Sequence, residues 1–150
     1  MSGNLLHTEG ISMKIKTYTT LPEEAKHIRL TVFWEEQGFV KEFDEVDSIA
    51  VHLVAFQDGQ AVGTCRYYET ETKGEYAIGR IAVLRTLRGQ GLGGKLVREA
   101  EAQIKARGGN RTHIGAQVQA IPFYEKIGYT PVGDRYMDEH VPHQGMEKEL

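Results

Sequence analysis

Ile81-Ala82-Val83-Leu84-Arg85-Thr86-Leu87-Arg88-Gly89-Gln90-Gly91-Leu92-Gly93-Gly94 is the stretch that decides how this chain folds. Its first part is apolar and β-branched, as a strand requires. From residue 91 the period changes to about 3.6, with Leu92, Leu96, Val97, Ala100 and Ile104 on one face and Lys105 and Arg107 near the end, before Gly108-Gly109. A glycine-rich turn therefore joins a strand to the N-terminus of a long helix. Glycines let the backbone approach an anion and turn its N–H groups toward it, and the helix dipole favours negative charge at the same place.

Three phosphate-binding patterns compete for these glycines. Gly89, Gly91 and Gly94 satisfy G-x-G-x-x-G, but a dinucleotide site wants the strand to end at the first glycine and an acid about 20 residues on. Here residues 85–88 intervene, and Arg111, Thr112 and His113 stand in the acid's place. Gly89, Gly94 and Lys95 imitate a P-loop, but Leu96 replaces the hydroxyl that would ligate Mg²⁺. The third pattern, Arg-x-x-Gly-x-Gly, is matched at Arg88, Gly91 and Gly93.

Working outward, residues 1–12 show no periodicity and read as a leader outside the fold, unstructured or appended, with a single domain over residues 13–150. Residues 14–19 alternate like a short edge strand, and residues 22–38 read as a helix from Pro22 to the Gly38 stop. Residues 51–56 and 61–68 flank Asp58-Gly59, a hairpin signal. Residues 76–84 form a third strand of this meander. Beyond the long helix, residues 112–116 read as a strand, 122–127 as a short helix, and 130–136 and 145–150 as extended segments. The order implies an α+β domain of three α/β layers, a mixed and mostly antiparallel sheet flanked by helices.

Composition narrows the function. The chain has 150 residues, 40% hydrophobic and 26% charged, with a net charge of −3. It holds no apolar run long enough for a membrane span and no secretory leader, so it reads as cytoplasmic. One cysteine, Cys65, excludes an internal disulfide and a Cys-rich metal centre. Residues 80–111 carry eight basic side chains against two acidic ones, whereas residues 35–47 hold Glu35, Glu36, Glu42, Asp44, Glu45 and Asp47 against Lys41 alone. Such segregation suggests two partners of opposite sign. Nucleic acid is a poor match for the basic segment, because the glycine motif interrupts it and no aromatic run accompanies it.

The strand, the Arg88-x-x-Gly91-x-Gly93 turn and the long helix resemble the GNAT superfamily of acetyl-CoA-dependent N-acetyltransferases. A second element, Ala120-Ile121-Pro122-Phe123-Tyr124-Glu125-Lys126-Ile127-Gly128-Tyr129, looks like another family signature at the family's spacing. Arg29-x-x-Val32-Phe33, Glu36-Gln37, the acidic loop and Pro142-His143 look most like the small bacterial ElaA/YjcF subgroup. The resemblance implies a GNAT acyl-CoA N-acyltransferase fold. It also implies an enzyme that moves the acetyl group of acetyl-CoA directly to a primary amine, a small molecule or peptide, without metal. A non-catalytic acyl-CoA sensor or interaction module on the same fold is the alternative, and dimers are common in the superfamily.

Carried over by position, the backbone of Arg88, Gly89, Gln90, Gly91, Leu92, Gly93 and Gly94 holds the CoA pyrophosphate, and Ile81, Ala82 and Val83 run beside pantetheine. Tyr124 matches the general acid that protonates the departing thiolate; Phe123 and Gln117 border the cofactor. The general base is open among Glu75, Glu36, His140 and His143. Cys65 as a covalent acetyl carrier runs against the family's direct transfer. Glu36, Asp44 and Asp47 are the residues expected to face a cationic acceptor.

Overall fold

The computed structural model describes the backbone of residues 3–8 and 11–150, and side chains from Met13 onward. Asp58 and Gly59 both adopt positive φ, 50° and 82°, the conformation of a two-residue turn whose twist matches its strands. They join β3 (Val51–Gln57) to β4 (Gln60–Glu69), which pairs in turn with β5 (Glu75–Val83). β2 (Ile11–Tyr18) pairs antiparallel with β3 and also with β1 (Gly3–Thr8). The strand expected at an edge is thus interior. β1 falls inside the segment read as a leader; Met1, Ser2, Glu9 and Gly10 lie outside the described residues.

The helix expected over 22–38 is two pieces: α1 (Glu23–Arg29), then a π-helical turn over Leu30–Glu36, stopped before Gly38 at φ 77°. The glycine turn leads into α2 (Leu92–Ala106), which crosses to β6 (Arg111–Gln117), parallel to β5. After α3 (Ile121–Lys126) come β7 (Thr130–Pro131), β8 (Tyr136–Asp138) and β9 (Val141–Glu149). The 130–136 segment therefore keeps strand character only at its ends, and the last strand starts four residues before the expected 145. Among the described residues the sheet runs β1-β2-β3-β4-β5-β6-β9-β7, with β8 also on β9.

Helices cover both faces. Leu92, Leu96, Val97, Ala100 and Ile104 of α2 pack with Leu53, Cys65, Ile78, Ile114 and Met146. On the opposite face Ala25, Ile28, Val32 and Phe33 pack with Val54 and Ala82. Leu96 and Ile104 are fully buried, each contributing about 1.5–3 kcal/mol by transfer out of water. No helix among the described residues is long and apolar enough to cross a membrane.

Two irregularities in β5 place the functional site. Its parallel pairing with β6 covers only Glu75↔Arg111, Tyr76↔Thr112 and Ala77↔His113, after which the strands part. Its register with β4 also slips between Thr64 and Arg66, opposite Arg80, which takes a positive φ of 50°. Leu84 N donates to Val62 O at 3.0 Å, so by the alternation of an antiparallel ladder Gly63↔Val83 is a non-hydrogen-bonded pair. The N–H and C=O of Val83 consequently point away from β4, into the gap.

Candidate active site

A cavity of about 430 Å³ opens where β5 and β6 part. Ile81, Gln117, Tyr124 and His143, named from the sequence, all line it. Tyr124 projects from α3, which Pro122 starts with a fixed φ suited to a first helical turn. The tyrosine is 8% exposed, with Phe123 and Tyr129 edge-on at 4.9 and 6.1 Å. Burial pushes its phenol well above the usual tyrosine value, so it is a neutral O–H that can only give its proton to a strongly basic atom.

His143 lies on β9 opposite Gln117 of β6. Its ring stacks on Tyr136 at 5.7 Å, and its Nδ1 stands 2.9 Å from the Val141 carbonyl. A carbonyl only accepts, so Nδ1 carries the hydrogen and the lone pair of the neutral ring sits on Nε2. Gln117 donates to Gln37 Oε1 at 2.8 Å and accepts from Gln119 at 2.6 Å. It ties β6 to the end of the first helical segment.

The glycine turn is open. A Cβ at Gly89 or Gly91 would meet no atom within 4 Å, and both have positive φ, 85° and 78°. Gly91 caps α2, whose first turn holds no acid and no side-chain cap. The amides there are left for an anion. Leu92 sends its side chain into the core, and Phe123 stands over the turn, 3.4 Å from where a Gly93 Cβ would be. Arg88 borders the turn with Nε donating to Val83 O at 2.9 Å.

The acidic loop behaves differently from the expectation. Asp47 is 7% exposed and accepts from Arg29 and Arg66 at 2.7 and 2.8 Å; Asp44 accepts from Arg66 and Arg80 at 2.7 and 3.3 Å. Neither lines the cavity. Their charges neutralise guanidiniums, since burying Arg29 and Arg66 unpaired would be prohibitive. Glu36 is likewise spent, on Arg88. The acids that do line the cavity are Glu42 and Asp138; Glu42 is 5% exposed, accepts from Arg29 Nε at 2.6 Å and lies 3.3 Å from Arg80 Nε. Burial pushes the Glu42 carboxyl up despite those contacts. Sequence reading saw Glu42 only as one of six acids, because its selection depends on partners far along the chain.

Two base candidates fall outside the site. Glu75 begins β5, six residues and roughly 20 Å of strand before Ile81, beside Thr70. His140 Nε2 bonds Gln37 O at 2.8 Å and does not line the cavity. Cys65 is buried under α2 with Sγ 3.9 Å from Leu96 O. His113, which also lines the cavity, was not among the sequence candidates. Among the described residues no cluster of His, Cys, Asp and Glu is arranged to hold a metal ion.

Comparison with known proteins agrees with this arrangement. Residues 19–150 match the model of the acetyltransferase (GNAT) domain. The uncharacterized N-acetyltransferase YjcF of Bacillus subtilis (strain 168) is 31% identical over 130 residues, 85% of this chain and 91% of its own length. The crystal structure of Escherichia coli ElaA superposes with a TM-score of 0.80 at 24% identity, covering 93% of this chain and 99% of that one. An aminoglycoside 6′-N-acetyltransferase complexed with coenzyme A shares the fold at a TM-score of 0.73 and 18% identity, covering 90% and 96%. With the open glycine turn, the parted strands and these relatives together, this chain belongs to the GNAT acetyltransferases, in the ElaA/YjcF-like group.

Proposed function

We propose that this chain transfers the acetyl group of acetyl-CoA directly to a primary amine within a ternary complex. The observation that carries the reading is the gap between β5 and β6, with Val83 N–H facing into it and Tyr124 and His143 lining the cavity at its base. Amides of residues 88–94 receive the pyrophosphate, and pantetheine lies along residues 81–83 as an added strand. The structurally similar aminoglycoside enzyme is complexed with coenzyme A, which supports the choice of cofactor.

The amine enters the cavity from the side of Glu42 and His143. His143 Nε2 takes its surplus proton, and the freed nitrogen attacks the thioester carbon. Negative charge collects on the carbonyl oxygen, where Val83 N–H is the donor; one such donor is worth about 3 kcal/mol of barrier. The C–N bond forms, the C–S bond breaks, and Tyr124 O–H gives its proton to the departing sulfur. Glu42 and Asp138, the carboxylates that line the cavity, take over the part expected of Glu36, Asp44 and Asp47 in facing a cationic acceptor.

The test is to incubate the protein with acetyl-CoA and a library of amines, following free CoA and identifying products by mass spectrometry. An acetylated amine formed in step with CoA supports the reading. Acetyl-CoA binding without turnover on any acceptor would instead favour a sensor on the same fold.

A further inference from the structure

Glu36 ends the π-helical turn whose Phe33 and following Gln37 line the acceptor cavity. Its carboxylate takes both arms of Arg88, from Nη1 at 2.6 Å and Nη2 at 2.9 Å, while Arg88 Nε donates to Val83 O at 2.9 Å. Arg85 approaches the same carboxylate at 3.7 Å. The fork of one guanidinium therefore spans three parts of the site: the wall of the acceptor cavity, the end of β5, and the first residue of the glycine turn.

We propose that Glu36 is a positioning residue for acetyl-CoA: by clamping Arg88 against the Val83 carbonyl, it fixes the Val83 peptide and the glycine turn in the geometry that receives the cofactor. The inference rests on the acetyl-CoA reading above. A bidentate carboxylate defines the plane of a guanidinium, which a single acceptor does not. With that plane set, Nε meets the carbonyl of Val83 at the end of β5, and the residue so held is the one whose own N–H, in the preceding peptide, faces the gap. Ordering this long side chain and the glycine-rich backbone beforehand removes an entropic cost from cofactor binding. The Glu36 carboxyl is held below its usual range chiefly by the Arg88 hydrogen bonds, so the clamp persists throughout the neutral range.

Calorimetric titration with acetyl-CoA alone tests this without knowing the acceptor. Wild type, Glu36→Gln, Arg88→Gln and the double variant are compared well below their melting temperatures. Expected are single variants that bind about tenfold more weakly, and a double variant no weaker than the weaker single, because either change breaks the same clamp. If Glu36 only supports the fold, Glu36→Gln lowers the melting temperature and leaves the dissociation constant alone, which overturns the inference. So does tighter binding by Glu36→Gln, which would mean that the carboxylate withholds Arg88 from the phosphates. Should Glu36→Gln not fold, Arg88→Gln with native affinity overturns it equally. Wild type that gives no binding heat overturns the acetyl-CoA reading itself.

Discussion

Asp47 and Arg29 face each other across the first helical segment and the acidic loop at 2.7 and 3.1 Å, and the Arg29 side of the pair is only 1% exposed. Arg66 shares the same Asp47 oxygen, and His52 Nε2 lies 3.0 Å from the Asp47 carbonyl. The loop thus crosses the sheet face as the counter-charge of buried guanidiniums. Removing one partner of such a pair costs about 3–5 kcal/mol, because the other charge stays buried.

Asp47→Asn is therefore expected to lower unfolding free energy by about that amount at neutral pH, measured by urea denaturation. Burial alone raises the Asp47 carboxyl, but the hydrogen bonds from Arg29 and Arg66 outweigh it and hold the group well below the usual carboxylate range. A depressed folded value contributes stability that is fully present above the unfolded value of about 3.9 and is lost as pH falls through the folded one. The gap between wild type and variant should accordingly narrow below about pH 4. A stable Asp47→Asn protein with only a raised KM for amines would return Asp47 to the acceptor site.

Cys65 supplies a second test. Burial pushes its thiol up to about 12, so almost no thiolate exists at neutral pH and none is reachable under α2. The native protein should leave a thiol reagent unreacted until denaturant is added, and Cys65→Ala should keep acetyl transfer. Loss of transfer in a folded Cys65→Ala variant would revive a covalent carrier.

What the sequence could show depended on how local the cause was. The Asp58-Gly59 turn and α2 follow from φ preferences and a 3.6-residue period within a few neighbours, and both stand where expected. The glycine turn was equally legible, since four glycines between residues 89 and 94 have few other uses. Glu42, Asp44 and Asp47 look alike in one dimension. Their different fates are set by Arg29 and Arg66, 13 to 22 residues away, and by which face of the sheet each guanidinium occupies. The π-helical turn and the three exposed residues of β8 carry no period of their own.

Tyr124→Phe removes one oxygen from a well-packed ring. Acetyl-CoA affinity and melting temperature should hold, while kcat falls roughly 100-fold, within the range for loss of a general acid. Because burial raises the phenol, the wild-type pH–rate profile should show no decline from Tyr124 ionisation on its alkaline side. An unchanged kcat in the phenylalanine variant would reduce Tyr124 to packing.

Gly91→Glu places a carboxylate at the mouth of the glycine turn. There is room for the side chain, and a non-glycine residue at φ 78° costs about 1–2 kcal/mol, so the protein should fold. Its charge beside the pyrophosphate should abolish the calorimetric signal for acetyl-CoA. Native affinity in the folded variant would move the cofactor away from residues 88–94.

The role of His143 can be separated from its packing on Tyr136 by the choice of acceptor. An alkylamine is almost entirely protonated at neutral pH and must lose a proton before it can attack, whereas an arylamine or an acylhydrazide is already neutral. Nδ1 is committed to the Val141 carbonyl, which leaves Nε2 as the nitrogen that takes the proton. His143→Gln should then lower kcat/KM for alkylamines roughly 100-fold, as loss of a general base does, and spare arylamines and acylhydrazides. A ring that merely supports the cavity wall would depress every acceptor alike, and that uniform loss would leave Glu42, Asp138 and His113 as the groups lining the cavity to examine for the base.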